Sequence, residues 1–392
     1  MSSDLKIGIA GCGIGGLALG AMLAAKGHAV QIFDQFKAPS PVGSGLVVQP
    51  VGFEVLRALG VAEAVLAKGA KITHMHGVES GSGRMALDVS YGARFGVAIH
   101  RASLFDALLK KAKANGCEII PSTKIIAQKG SYFEASNGAR LGPFDLLVDA
   151  SGAGSELSPL KTKPLKYGAL WASVDWPEAT ALPQNRLTQV YGGATRMAGV
   201  LPIGSLPGET KQKAAVFWSL RVADYDAWRA APLAGWQQAT RDFWPEFAPF
   251  INQISSHDEL TMARYKHGTL RRKTNGRMAF IGDAAHCASP QLGQGANMAL
   301  LDAYALGTAL GQHPVEAALK AYEHARRRHV FSYQMMSRVL TPFYQSDSMV
   351  LPWLRNRALA PLSPFWPFAP VLTKVGAGDV IPPVRGLAWP PQ

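Results

Sequence analysis

The sequence predicts an α/β fold: a parallel-sheet domain, an inserted and mostly antiparallel β-sheet domain, and a C-terminal helical segment. Three observations carry this expectation. Residues 5–34 pass from the continuous apolar run LKIGIA through GCGIGG into LALGAMLAAKG and out to HAVQIFD. An apolar run that gives way to helical periodicity across glycines reads as strand, turn and helix, and Gly27 stops the helix before a second strand. Residues 165–265 change texture to alternating, turn-rich segments, RLTQVYGG, MAGVLPIG and AAVFWSLRV, the period-two pattern of an antiparallel sheet. Beyond an apolar strand at 277–281, helical periodicity returns over 297–310 and 315–339.

The remaining elements follow in order. A helix over 53–59 ends at Gly60, and another over 104–114 ends before Gly116. FDLLVDASG (144–152) reads as a buried strand closing in a small-residue turn, and a helical stretch around 228–244 interrupts the inserted sheet. No internal repeat is found. The expected division is discontinuous: residues 1–72, 97–164 and 269–340 form the first domain, 73–96 and 165–268 the inserted substrate domain, and 341–392 a helical, proline-rich tail. The tail's Trp353, Phe365, Trp366 and Phe368 are expected to pack into a core, because aromatic residues bury large apolar areas; peripheral membrane or protein contact through the tail is the alternative.

Composition bounds the function. Of 392 residues, 48% are apolar and 17% charged, which favours a globular chain over a disordered one. The net charge is +13, and KKAK (110–113), RRK (271–273) and RRR (326–328) account for much of the clustering; the runs are read as solvated faces, with attraction of anions the alternative. No zinc-finger or RNA-recognition signature accompanies them, so no nucleic-acid partner is expected. Cys12, Cys117 and Cys287 form no CxxC pair and have no metal-ligand spacing, so no metal is expected and a reducing cytoplasm fits best. Neither a secretory signal nor an apolar run of about 20 residues is present, and a cytoplasmic location is expected.

The chemistry begins at Gly11, Gly13 and Gly16, a GxGxxG between strand and helix. The first glycine permits the tight turn, the second lets backbone approach a pyrophosphate, and the third lets helix pack on strand. Asp34 ends the second strand, where a carboxylate can accept from ribose hydroxyls. Together they predict a Rossmann-like dinucleotide-binding unit. Asp283 follows a second apolar strand in GRMAFIGDAAHCASPQLGQGANMALLDAYAL (276–306), ahead of a glycine-rich turn and a helix. His286, Cys287 and Cys12 are read as packing residues rather than catalysts.

In Gly282, Asp283, Pro290, Gly293, Gln294, Gly295, Ala296 and Asn297 the chain resembles the flavoprotein aromatic hydroxylases, the family of para-hydroxybenzoate and salicylate hydroxylases. The likeness extends over residues 5–340. It implies FAD as cofactor, with Asp283 at the ribityl chain and the following loop and helix N-terminus against the isoalloxazine, where a helix dipole can stabilise the reduced ring. His100, Arg101 and Leu104 resemble the family's motif in which the arginine approaches the FAD phosphates, a task that suits a guanidinium. GLVVQP (45–50) resembles the segment passing the flavin, which makes Gln49 a candidate contact. The resemblance further implies NADPH or NADH as a transient reductant, and a C4a-hydroperoxide that transfers oxygen from O2 to an aromatic substrate. One departure stands out: the family's Asp-Gly after the strand near 148 is Ser151-Gly152 here, which removes a carboxylate linked with nicotinamide handling.

Tyr191, Met197, Leu201, Pro202 and Trp218 are expected to form one wall of the substrate pocket and the loop 290–295 the other, with packing as the alternative for Trp218. No general base is assigned. A second glycine fingerprint and CxxC, the marks of a disulfide reductase, are absent, as is the halogenase WxWxIP. The alternatives are a flavin-dependent reductase or oxidase, or a weakly catalytic FAD-binding partner protein.

Overall fold

The computed structural model describes residues 4–38 and 44–390. Its first sheet has six strands in the order Thr274–Asn275, Met278–Phe280, Leu146–Asp149, β1 (Lys6–Ala10), β2 (Ala29–Phe33) and Glu118–Ile120. All pairings are parallel except the short hairpin that ends in Met278–Phe280. β1 is buried from Ile7 onward because both faces of the sheet are covered. On one side α1 (Ile14–Ala24) packs with helices Arg101–Ala114 and Gly295–Gln312. On the other, Phe33, Phe133 and Phe144 join Leu147 and Phe280 under a three-stranded sheet built from residues 125–141.

The second sheet has eight strands in the order His286–Cys287, Thr261–Thr269, Lys163–Asp175, Lys213–Arg221, Arg196–Pro202, Arg186–Gly192, His74–Glu79 and Met85–Ser90. Only Arg186–Gly192 and His74–Glu79 run parallel. Its outer face, with Leu170, Val190, Val200, Val216 and Trp218, packs on Trp236, Trp244, Phe247 and Phe250 of the helical insert. Each such side chain contributes about 1.5–3 kcal/mol on burial. Its inner face carries Leu201 and Ala215, which pack on Val47, Tyr91 and Ala98.

Several elements start earlier or end later than their apolar patterns suggest. The helix expected over 53–59 is Pro50–Ala58, since proline is pre-organised for the first helical position. The helix expected from 104 begins at Arg101, because the His100 imidazole caps it by accepting from the Ala102 amide at 3.1 Å. Val315–Tyr344 continues past Pro342.

Two expectations fail. The charge runs are not wholly solvated: Lys273 is 3% exposed and Arg326 fully buried. The tail turns its small residues inward, Ala360, Ser363, Gly376 and Ala377, and its aromatics outward, with Trp353 57%, Phe365 64% and Trp366 85% exposed. Among the described residues no helix is long and apolar enough to cross a membrane.

Candidate functional site

The glycine turn sits where β1 meets α1. Gly11 adopts φ +106°, and a Cβ there would lie 2.4 Å from the Ala150 carbonyl oxygen, so only glycine fits. A Cβ on Gly16 would lie 2.1 Å from the Gly11 oxygen, which is the close approach of helix to strand. Gly13 has no neighbouring atom within 4 Å of its Cβ direction and is the N-cap of α1. No side chain caps that helix and its first turn carries no acid, so its leading amides are available to an anion. Asp34 follows β2 and binds the turn from beside it: Oδ2 accepts from the Cys12 amide and Oδ1 from the Phe36 amide, each at 2.9 Å. A carboxylate has about four acceptor positions, so capacity for hydroxyls remains. The Cys12 thiol is buried in this turn, and burial with the neighbouring Asp34 pushes its pKa up to about 12.

Two strands from β1 in the same sheet and parallel to it, Met278–Phe280 leads into Gly282 and Asp283. Arg101 and Asp283 are both accessible to solvent although protein surrounds them deeply, which is how residues on the wall of a cleft appear. Desolvation raises the Asp283 pKa against the pull of His286, Arg101 and Lys266. Desolvation lowers that of Arg101, and Asp283 opposes the shift.

Beneath this turn lies a buried ionic network. The Gly282 amide donates to Asp302 Oδ2 at 2.9 Å, His286 Nε2 lies 2.6 Å from the same oxygen, and Arg326 Nε donates to Oδ1 at 2.7 Å. Burial alone would raise the Asp302 carboxyl, but His286 and Arg326 hold it below the ordinary carboxylate range. Arg326 also donates to the Pro383 carbonyl at 2.5 Å, and His329 pairs with the Gly378 carbonyl at 2.8 Å. Asp302 was not singled out from the sequence, and Arg326 only as part of the run RRR (326–328). The available signal was an aspartate inside the apolar run NMALLDAYAL, since a charge there requires a partner.

The loop of Pro290, Gly293 and Gln294 leads into helix Gly295–Gln312, whose first turn has neither an acid nor a side-chain cap. Nothing lies within 4 Å of the Cβ direction of Gly295. Asn297 and Gln49 are fully buried and clamp this loop. Asn297 Oδ1 accepts from the Gln49 amide at 2.8 Å and Nδ2 donates to the carbonyls of Gly293 and Val47; Gln49 Nε2 donates to the Gly293 carbonyl at 3.4 Å and Oε1 accepts from Tyr91 at 2.5 Å. The structure therefore turns both side chains into the protein and away from the cleft.

Ser151 has its hydroxyl turned inward as well. It donates to Asp149 Oδ1 at 2.5 Å and Ser155 donates to Oδ2 at 2.5 Å, while burial raises the Asp149 carboxyl. A carboxylate thus lies two residues before the expected position, but fully buried.

The five side chains expected to share a pocket wall divide by register. Tyr191 pairs with Met197 and Ala198 with Trp218. Since neighbours along a strand face opposite ways, Trp218 and Pro202 lie on the outer face with the helical insert, and Tyr191, Met197 and Leu201 on the inner one. That inner face also holds Trp171, Phe217 and Tyr265. The Trp171 and Phe217 ring centroids are 4.6 Å apart, and Trp171 Nε1 donates to the Tyr265 hydroxyl at 3.0 Å. Trp171 and Tyr265 keep accessible surface, yet burial pushes the Tyr265 hydroxyl pKa up.

Two helix N-termini without a side-chain cap, a glycine with open space at the start of each, and a cation and carboxylate on one cleft fit a long dianionic dinucleotide. Comparison with known proteins agrees. Residues 4–337 match the FAD binding domain family. The chain is 27% identical to aurachin C monooxygenase/isomerase of Stigmatella aurantiaca, over 93% of this chain and 96% of that protein. It is 26% identical to salicylate hydroxylase of Pseudomonas putida, over 85% and 84%. The tetrameric form of 2-methyl-3-hydroxypyridine-5-carboxylic acid oxygenase shares the fold, with a TM-score of 0.80 at 20% identity, covering 99% of this chain and 100% of that one. The chain belongs to the FAD binding domain family, among the group A flavoprotein aromatic hydroxylases, and is an FAD-dependent monooxygenase of a family that uses NAD(P)H.

Proposed function

We propose that the chain hydroxylates an aromatic or lipophilic small molecule, with NAD(P)H as transient reductant and O2 as oxygen source, between the inner face of the eight-stranded sheet and the loop 290–295. In this reading residues 1–72, 97–164 and 269–340 hold the cofactor, and 73–96 and 165–268 shape the substrate site. The turn of Gly11, Gly13 and Gly16 with the α1 amides takes the pyrophosphate, Asp34 the ribose hydroxyls, Arg101 the phosphates and Asp283 the ribityl chain. Pro290, Gly293, Gly295 and the amides of Ala296 and Asn297 line the isoalloxazine edge. The side chains of Gln49 and Asn297 position that loop. When bound, FAD supplies the redox chemistry, carrying electrons from nicotinamide to dioxygen.

The carrying observation is the Trp171–Tyr265 pair. An indole nitrogen can only donate, so the Tyr265 oxygen accepts and its own proton remains to be offered. With its pKa raised, the hydroxyl stays protonated at neutral pH. A flat apolar wall with one such donor suits an aromatic ring bearing a single oxygen substituent, and Leu187, Met197 and Phe217 pack in the same apolar cluster. The names of two relatives, for salicylate and aurachin C, support this class.

The test is turnover with a panel of phenols, quinolones and pyridines under isotopically labelled dioxygen. The expected product is heavier by one labelled oxygen atom, and the right ligand accelerates NAD(P)H consumption. Tight ligand binding with only peroxide or a reduced product would point to an oxidase or reductase instead.

A further inference from the structure

We propose that the groove between residues 269–273 and helix Val315–Tyr344 is a binding site for an amphipathic organic anion, an apolar body that carries a carboxylate or a phosphate. The groove has a volume of about 530 Å³, within the range of small-molecule sites. Two charge runs that are distant in sequence meet at it. RRK contributes Arg271 and Lys273, RRR contributes Arg327 and Arg328, and Arg338 joins them from farther along the helix. No aspartate or glutamate lines the groove. Among the described residues none of these five cations forms an ion pair.

The same groove carries apolar surface and unfinished polar groups. Leu270 and Val330 are buried in its lining, while Phe331 and Met335 are 63% and 43% exposed. Arg328, Phe331, Met335 and Arg338 follow one another at three- and four-residue spacing, so one side of the helix presents cations and apolar groups together. Lys273 is buried; burial lowers its pKa and Asp302 opposes the shift. Glu323 beside it is taken up by the Lys273 amide at 3.2 Å and the Thr274 hydroxyl at 3.1 Å. Gln334 is 6% exposed and its Oε1 has no hydrogen-bond partner, and neither has the enclosed Thr269 Oγ1. A buried ammonium without an ion pair and two polar groups without partners therefore line one apolar recess, and such groups cost stability until something completes them.

Charge and shape together select the occupant. A neutral apolar ligand would cover the cations without neutralising them, and inorganic phosphate would leave Phe331 and Met335 in water. A second copy meeting the groove with the same surface would set these arginines against their own like charges. An anion joined to an apolar body meets both demands. Guanidinium groups grip a carboxylate or phosphate in forked pairs, and the Thr269 hydroxyl can donate to the same anion. The Gln334 amide, turned on its flexible stem, can accept from a ligand hydroxyl or N–H. None of the lining side chains is one named above for cofactor or substrate. Their backbone is nonetheless bonded to the strand and turn that carry Asp283: the Leu270 amide donates to the Ala285 carbonyl at 2.8 Å, and the Phe280 amide to the Lys273 carbonyl at 2.9 Å.

The test is calorimetric titration of the FAD-loaded enzyme with decanoate and with decyl phosphate, each below its micellar concentration, beside decanol and inorganic phosphate. At least one of the two decyl anions is expected to bind at one molecule per chain, and the tighter of them identifies the headgroup. Decanol lacks the charge and inorganic phosphate the apolar body, so each should bind at least about tenfold more weakly. Arg327→Gln with Arg328→Gln and, separately, Met335→Glu should each weaken binding of the decyl anion by about tenfold or more, at unchanged flavin absorbance and melting temperature. Phe365→Ser with Trp366→Ser, which alters exposed aromatics outside the groove, should bind as the wild type does. Absence of binding by both anions, equal binding of decanol, or binding that survives both groove variants would overturn the proposal. So would self-association of the wild type that Met335→Glu abolishes, since a second copy would then own the groove.

Discussion

Replacing Asp302 by asparagine isolates one charge beneath the Gly282 turn. Asparagine keeps the volume and a carbonyl oxygen for the Gly282 amide, but it removes the anion that faces His286 at 2.6 Å and Arg326 at 2.7 Å. Arg326 is fully buried, and what would remain to it is the Pro383 carbonyl and two weak partners, His329 Nδ1 and the Met298 sulfur. A neutral hydrogen bond is worth about 1 kcal/mol, whereas stranding a buried ion by deleting its partner costs about 3–5 kcal/mol. The larger figure applies because no water reaches the guanidinium. The pH dependence follows from the direction of the shift. The Asp302 carboxyl is held below its ordinary range in the fold, so its contribution is fully present above the unfolded value of about 3.9 and is lost as pH falls through the lower folded value. Urea unfolding of the apoprotein, wild type and Asp302→Asn, should therefore show a gap of about 3–5 kcal/mol that stays flat from neutral pH down to about 4 and closes only in stronger acid. A gap under about 1 kcal/mol would refute the reasoning. So would one that closes near pH 6, which would assign the effect to a histidine rather than to the carboxylate.

Other outcomes follow from single contacts. Asp34→Ala should weaken FAD binding by about 1–3 kcal/mol in titrations of apoprotein, and full occupancy at low FAD would count against Asp34 as a ribose acceptor. Ser151→Asp should set a second carboxylate beside buried Asp149, whose own pKa is already raised; the variant should melt lower at pH 7 than at pH 5 relative to wild type, and stopped-flow reduction by NAD(P)H should be no faster. A faster reduction with unchanged melting would restore a direct nicotinamide role to position 151. Tyr265→Phe should lower kcat/KM for the best panel substrate about tenfold, the scale of one lost hydrogen bond, at unchanged FAD affinity; a change under about twofold would remove Tyr265 from the substrate site.

What could be read from the sequence was what local geometry dictates. Gly11 and Gly16 are required by atoms within a few residues or across one strand pair, and strand, turn and helix follow each other without help from distant contacts. The alternation of the inserted sheet was equally visible, and the phase of that alternation held more than was drawn from it. Met197 and Leu201 fall on one face and Pro202 on the other by parity alone, but Trp218 joins Pro202's face only through the pairing Ala198 with Trp218. That pairing joins strands across a turn, which strand parity by itself does not fix.

The buried ions were hidden for a different reason. RRR at 326–328 looks uniform, yet a helix turns about 100° per residue, so three adjacent arginines cannot share one environment. The buried positions Tyr322, Arg326, His329, Val330 and Tyr333 form the helical stripe, and Arg326 falls in its middle, while Arg327 and Arg328 face out. An arginine in that stripe must meet an acid from elsewhere, and the one charge in the apolar helix Gly295–Gln312 that is fully buried is Asp302. Each charge alone looks like an error of burial, and the two together account for each other. Their joint position, under Gly282 and against the carbonyl of Pro383, links the Gly282 turn to the C-terminal segment. Loosening either end should therefore be felt at the other.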